Sequence, residues 1–148
     1  MCAKRDKKPK AREVPSGEKN PKIASEPSLY DDRKAAWRVA KIQLTDPYGW
    51  HEISANDASQ IKVKLAVFEK NSWKELFVRD ARFNHRIQSD QLKCPIARKW
   101  MAENMPDQPY LWTLRLSGSE RIWGILSEGA YQVLFWDPQH LIWEVPRT

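Results

Sequence analysis

Residues 111–136 read Leu-Trp-Thr-Leu-Arg-Leu-Ser-Gly-Ser-Glu-Arg-Ile-Trp-Gly-Ile-Leu-Ser-Glu-Gly-Ala-Tyr-Gln-Val-Leu-Phe-Trp. Three apolar runs, Leu111 to Leu116, Arg121 to Leu126 and Tyr131 to Trp136, are divided by Ser117-Gly-Ser-Glu120 and Ser127-Glu-Gly-Ala130. Short apolar runs punctuated by glycine-containing turns predict an antiparallel meander. Alternation with period two sets Trp112, Leu114 and Leu116 on one face and turns Arg115 to the other, towards solvent or a ligand. Arg121 shares a face with Trp123 and Ile125, a position suited to an exposed charge only at a strand end; the competing reading is a salt bridge to Glu120 or Glu128. After the turn Asp137-Pro138-Gln139-His140, the run Leu141 to Val145 is expected to add a short fourth strand.

Upstream, Trp37 to Leu44 reads as a strand closed by the turn Asp46-Pro47-Tyr48-Gly49. Ala58, Ile61, Leu65 and Phe68 recur at helical spacing, so Asn56 to Lys70 is expected to form an amphipathic helix. Ser72 and Glu75 have the spacing of a capping box, which starts a second short helix carrying Trp73, Leu76 and Phe77. Arg79 to Asp90 is a polar stretch, and a third helix begins at Pro95, carries Ile96, Trp100 and Met101, and ends at Pro106. The order of strand, two to three helices and meander predicts an α+β domain with the helices packed on one face of the sheet.

Among 148 residues, 25 Lys+Arg against 19 Asp+Glu give a formal charge of +6. Residues 1–28 hold eight basic and four acidic side chains, leaving 17 and 15 for the other 120 residues, so the basic character belongs mostly to this segment. It contains four prolines and no aromatic residue, and is expected to be a disordered basic tail preceding a single domain over residues 29–148. Such a tail either binds phosphate backbones or solubilises the chain. The eight tryptophans are expected in the core. No apolar stretch is long enough to span a membrane, and residues 1–12 are charged where a secretory signal would be apolar, so a cytoplasmic location is expected. Cys2 and Cys94 offer neither a disulfide framework nor metal spacing, and both are expected as reduced thiols.

The element order, together with Leu111-Trp-Thr-Leu-Arg115-Leu, Arg121-Ile-Trp-Gly-Ile and Val133-Leu-Phe-Trp-Asp-Pro-Gln-His140, resembles the RelE/ParE toxin superfamily of bacterial toxin-antitoxin systems over about residues 37 to 145. The resemblance implies either ribosome-associated cleavage of messenger RNA, as in the RelE branch, or inhibition of DNA gyrase without nuclease activity, as in the ParE branch. It implies an antitoxin encoded nearby, no cofactor and no metal, and it sets Arg115 and Arg121 at the basic strand positions and His140 at the histidine after the meander. Two positions depart from the pattern: Leu141 replaces the basic residue that commonly follows this histidine, and Trp143 stands where the RelE branch has a tyrosine.

Metal-free RNA cleavage needs a proton acceptor for the 2′-hydroxyl, a donor for the leaving oxygen and cations for the charge on phosphorus. His85, His140 and Arg121 are the catalytic candidates, because imidazole titrates near neutrality and a guanidinium can engage two phosphate oxygens. Arg82, Arg86, Arg115, Lys93, Arg98 and Lys99 are candidate RNA contacts. Each has a plainer reading: Asn84 and His85 fixing a loop, solvated arginines, a charged outer helix face, and His140 capping its turn beside Asp137. His51, beside Trp50, reads as a packed surface ring. Nucleotide-binding glycine loops, zinc-protease motifs and nucleophile elbows are missing from the sequence. The rival to the nuclease is a non-catalytic binding protein, either a gyrase inhibitor or a phage or plasmid accessory factor that contacts a protein partner.

Overall fold

A computed structural model describes residues 30–143, so the expectations for the basic tail, Cys2 and residues 144–148 lie outside the described residues. The elements are β1 Trp37–Arg38, α1 Ala55–Phe68, a π-helical turn Glu75–Arg79, β2 His85–Gln88, α2 Pro95–Asn104, β3 Tyr110–Ser117, β4 Glu120–Ser127 and β5 Ala130–Asp137. They build an α+β domain around a five-stranded sheet in the order β1-β5-β4-β3-β2. β1 runs parallel to β5, and every other neighbouring pair is antiparallel.

The meander forms as its turns dictate. Ser127 pairs with Ala130 across Glu128 and Gly129, whose φ values of 54° and 82° are the two left-handed positions of a tight hairpin. β5 carries one extra residue, Leu134: Trp123 pairs with Phe135, and the next β4 residue, Gly124, pairs with Val133. Gly124 is required there, because a Cβ would collide with the Gln132 carbonyl and the Tyr131 ring. A second bulge, at Leu116, lies next to the β3–β4 turn.

Both faces of this sheet are apolar, and both are covered. Trp112, Leu114, Leu116, Ile122, Leu126, Tyr131, Val133 and Trp136 pack with Ile61 and Phe68 of α1 and with Trp73 and Leu76. Leu111, Trp123, Ile125, Leu134 and Phe135 pack on the other side with Leu92, Ala97, Met101 and Ile142. The helices therefore divide between the faces, α1 and the π-helical turn on one and α2 on the other. Hydrophobic burial drives this division, since a bare second face of Leu, Ile and Trp would cost about 25 cal/mol for each exposed Å².

Trp50, Trp73, Trp112, Trp123 and Trp136 enter the core as expected, while Trp37, Trp100 and Trp143 pack partly buried against it; Trp73 donates to the Gly129 carbonyl at 2.8 Å and Trp123 to Asp137 at 3.1 Å. The Trp50 indole nitrogen is buried and has no hydrogen-bond partner among the described residues. Ser54 and Asp57 cap α1 reciprocally, and the expected box between Ser72 and Glu75 forms at 2.9 and 3.2 Å. Its backbone hydrogen bond lowers the pKa of the Glu75 carboxyl. Cys94 is a buried free thiol.

Three elements differ from their sequence-based expectations. The Trp37 to Leu44 strand is reduced to two residues, because the following chain hydrogen-bonds to β5 irregularly, through Gln43 to the Leu134 carbonyl and through the Tyr48 carbonyl to Trp136. The polar stretch before α2 contains the edge strand β2, in which only Ile87 is apolar. Leu141 to Trp143 form a turn rather than the beginning of a fourth meander strand, because the Asp137 carboxylate captures the Leu141 and Ile142 N–H groups. On α2 the buried residues are Ala97 and Met101, while Ile96 points to solvent. No helix of the described residues is long and apolar enough to cross a membrane.

Candidate functional site

The β3–β4 hairpin sets Arg115 directly opposite Arg121. Both guanidinium groups donate to one acceptor, the Gly118 carbonyl, through Arg115 Nε at 3.2 Å and Arg121 Nη1 at 2.7 Å. Arg121 also reaches the Glu120 carbonyl at 3.1 Å. Among the described residues no carboxylate forms an ion pair with either arginine. The Glu120 side chain, one of the two acids considered from sequence, instead accepts from Trp136 Nε1 at 2.7 Å and Ser117 Oγ at 3.4 Å. Like charges facing each other across two strands repel. Half-burial and then Arg115 push the Arg121 pKa down, with Asp137 opposing them. A guanidinium nevertheless stays charged near neutrality, so this hairpin holds two cations with little to neutralise them.

A loop from the other end of the chain's helical region closes on this pair. The buried Asn84 donates to the Leu76 carbonyl at 3.0 Å and accepts from the Arg115 backbone N–H at 2.9 Å, which pins residues 81–84 to the sheet. The Phe83 ring contacts two guanidinium groups, with Arg82 at 4.8 Å and Arg115 at 4.9 Å from its centroid. The next residue, His85, opens β2 and is the direct cross-strand partner of Thr113, which in turn faces Trp123 on β4. His85, Thr113 and Trp123 thus form the row beside Arg115, Arg121 and Asp137, on one face of the sheet.

Burial lowers the pKa of His85, and the Arg121 charge lowers it further, against a hydrogen bond to the Ala81 backbone that favours the charged ring. A neutral imidazole carries one N–H and keeps its other nitrogen as a proton acceptor. Thr113 is fully buried, and its hydroxyl oxygen has no hydrogen-bond partner among the described residues. An unpaired buried hydroxyl costs about 1–3 kcal/mol that a valine would not.

Asp137 ends the second row. Fully buried, its carboxylate accepts from Trp123 Nε1 at 3.1 Å, the Leu141 N–H at 2.9 Å and the Ile142 N–H at 3.0 Å. His140 lies on the turn so formed, half-buried and at φ 58°. Ser119 Oγ donates to the Pro138 carbonyl at 2.7 Å, joining this turn to the hairpin that holds the arginines.

The other candidates lie elsewhere. Arg86, adjacent in sequence to His85, is on the opposite face, where it covers Tyr110 at 4.0 Å and Trp112 at 5.6 Å. Lys93 lies over Trp143 at 5.0 Å, and Arg98 donates to the Leu92 carbonyl at 2.7 Å beside a cleft of about 420 Å³ between α2, Gln88 and Tyr110. Lys99 is exposed on α2. His51 lies between Asp46 at 3.7 Å and Glu52 at 3.1 Å, an exposed set with the atom types of a metal site but on another part of the surface chain. Sequence reasoning therefore brought together His85, Arg82, Arg115 and Arg121 and read Asn84 as fixing its loop through backbone hydrogen bonds, as it does, but missed Thr113 and the anchoring role of Asp137. Only the Asp-Pro dipeptide hinted at the last. No family model, curated protein or solved structure matches the chain.

Proposed function

We propose that the chain binds RNA at the Arg115–Arg121 hairpin and cleaves it there, as a ribosome-associated toxin of the RelE kind held in check by an antitoxin. The observation that carries this reading is a cross-strand arginine pair without a carboxylate partner, next to a partly buried imidazole. A phosphodiester between Arg115 and Arg121 would relieve their repulsion and accept charge-assisted hydrogen bonds. His85 takes the 2′-hydroxyl proton as the 2′-oxygen attacks phosphorus and the bond to the 5′-oxygen breaks. The departing oxygen receives a proton from His140 or from solvent, leaving a 2′,3′-cyclic phosphate and a 5′-hydroxyl. Phe83, in cation–π contact with Arg82 and Arg115, adds an aromatic surface beside the arginine pair on which a base could stack in place of the Arg82 guanidinium.

The second reading is non-catalytic binding through the same hairpin, to a protein target or to nucleic acid, and it is favoured by the Gly118 carbonyl tethering both arginines. Fluorescence anisotropy with single-stranded RNA and a cleavage assay on ribosome-bound message separate the readings. The R115A/R121A double variant is expected to lose about 10–100-fold in RNA affinity, and H85N to lose cleavage while retaining binding. RNA binding without product points to the non-catalytic reading. Unchanged RNA affinity in the double variant removes the hairpin from the site.

A further inference from the structure

Asp46, His51 and Glu52 lie on the connection between β1 and α1, and the proposed function uses none of them. His51 Nε2 is 3.1 Å from Glu52 Oε2 and 3.7 Å from Asp46 Oδ1, and the three atoms lie within 4.8 Å of one another. A tetrahedral zinc ion with bonds of about 2.0–2.2 Å holds its ligand atoms about 3.3–3.6 Å apart, so small rotations of these exposed side chains close the triangle around one ion. Among the described residues neither carboxylate forms an ion pair with a lysine or arginine. Two like charges thus converge on one imidazole in a chain whose formal charge is +6.

The loop is anchored on both sides of the ligand set. Trp136 donates its backbone N–H to the Tyr48 carbonyl at 2.9 Å, and Trp50 donates its own to the Gln43 carbonyl at 2.8 Å. Gly49 is buried between them, and a Cβ there would collide with the Thr45 carbonyl and with His51 Nδ1. The imidazole therefore rests with Nδ1 against Gly49 and Nε2 towards the carboxylates. A cavity of about 340 Å³ opens beside Asp46 and Glu52, lined also by Tyr48, Trp136, Gln139 and Leu141. We propose that Asp46, His51 and Glu52 bind one divalent transition-metal ion of the zinc type, with its remaining position open to this cavity. One imidazole with two carboxylates suits Zn²⁺, whereas Ca²⁺ and Mg²⁺ take oxygen ligands. Three protein ligands and an open position leave room for water or a small anion at the metal. Asp137 also borders the cavity but is no ligand, because its carboxylate is committed to three N–H groups. This site stands independently of the RNA-cleavage reading.

The full chain, dialysed against a chelator, is titrated with Zn²⁺ by calorimetry and by NMR of the histidine ring protons. One Zn²⁺ is expected at His51, whose ring signals shift while those of His85 and His140 stay in place. H51A and the charge-neutral D46N/E52Q should each weaken binding at least about 10-fold. Saturating Zn²⁺ should raise the melting temperature of wild type and not that of H51A, and equimolar Ca²⁺ should not displace it. Melting curves without metal identify any variant that fails to fold, in which case the wild-type ring shifts decide. Absence of Zn²⁺ binding, an affinity that H51A leaves unchanged, shifts confined to His85 or His140, or displacement by equimolar Ca²⁺ overturns the proposal.

Discussion

Asp137 and the Arg115–Arg121 pair occupy one row of the sheet and are treated in opposite ways. The carboxylate is wholly buried, with three N–H groups directed at it. The two guanidinium groups are half-buried, share one carbonyl and face each other. Ions taken out of water are normally compensated fully or left in it. The anionic end of this row follows that rule. The cationic end does not, and it is at this end that the proposed function places the ligand.

The sharpest way to break the comparison is D137A. It strands the Trp123 and Ile142 N–H groups inside the protein and removes a carboxylate whose charge favours the charged Arg121, so it should destabilise the fold by about 3–5 kcal/mol in urea denaturation. A loss below about 1 kcal/mol would show that the Asp137 end is not the structural one. His85 sharpens it through pH. Its folded pKa lies below the ordinary imidazole value of about 6.5, so the unfolded chain binds more protons between those two values. Stability should therefore rise with pH across that window, with the whole penalty present below it and none above about 6.5. H85N should remove this slope, gaining on wild type as pH falls from 7.5 to 5, and denaturation curves at the two pH values check it. The smallest effect is expected from R86A, which loses cation–π contacts worth about 0.5–1 kcal/mol. Because Arg86 lies across the sheet from the arginine pair, its RNA affinity should change less than that of R115A/R121A.

The legible parts of the fold were those governed by local rules. The meander follows from Gly129 and alternating apolar residues, α1 from its spacing, and the Ser72–Glu75 box from its four-residue signature. β2 was hidden because an edge strand of His, Arg, Ile and Gln has no pattern to read; its pairing with β3 is a tertiary event. That omission also explains the basic cluster at residues 82–86. Read as a loop, all its side chains could point one way, whereas strand alternation sends His85 and Arg86 to opposite faces. Arg115 and Arg121 were correctly oriented by alternation, and Arg121 does sit at a strand end. The division of helices between two faces was not legible, since an apolar run on a covered strand does not say which helix covers it.

The extra residue at Leu134 has a consequence for how the chain tolerates change in length. Simple alternation would point Tyr131, Val133, Phe135 and Asp137 the same way; the bulge makes the first pair face α1 and the second pair face α2. Trimming that single leucine would restore even parity, rotate the carboxylate to the wrong side of the sheet and deprive Trp123 of its acceptor. The spatial neighbours of the arginine hairpin are thus set by a count of residues as much as by their kinds.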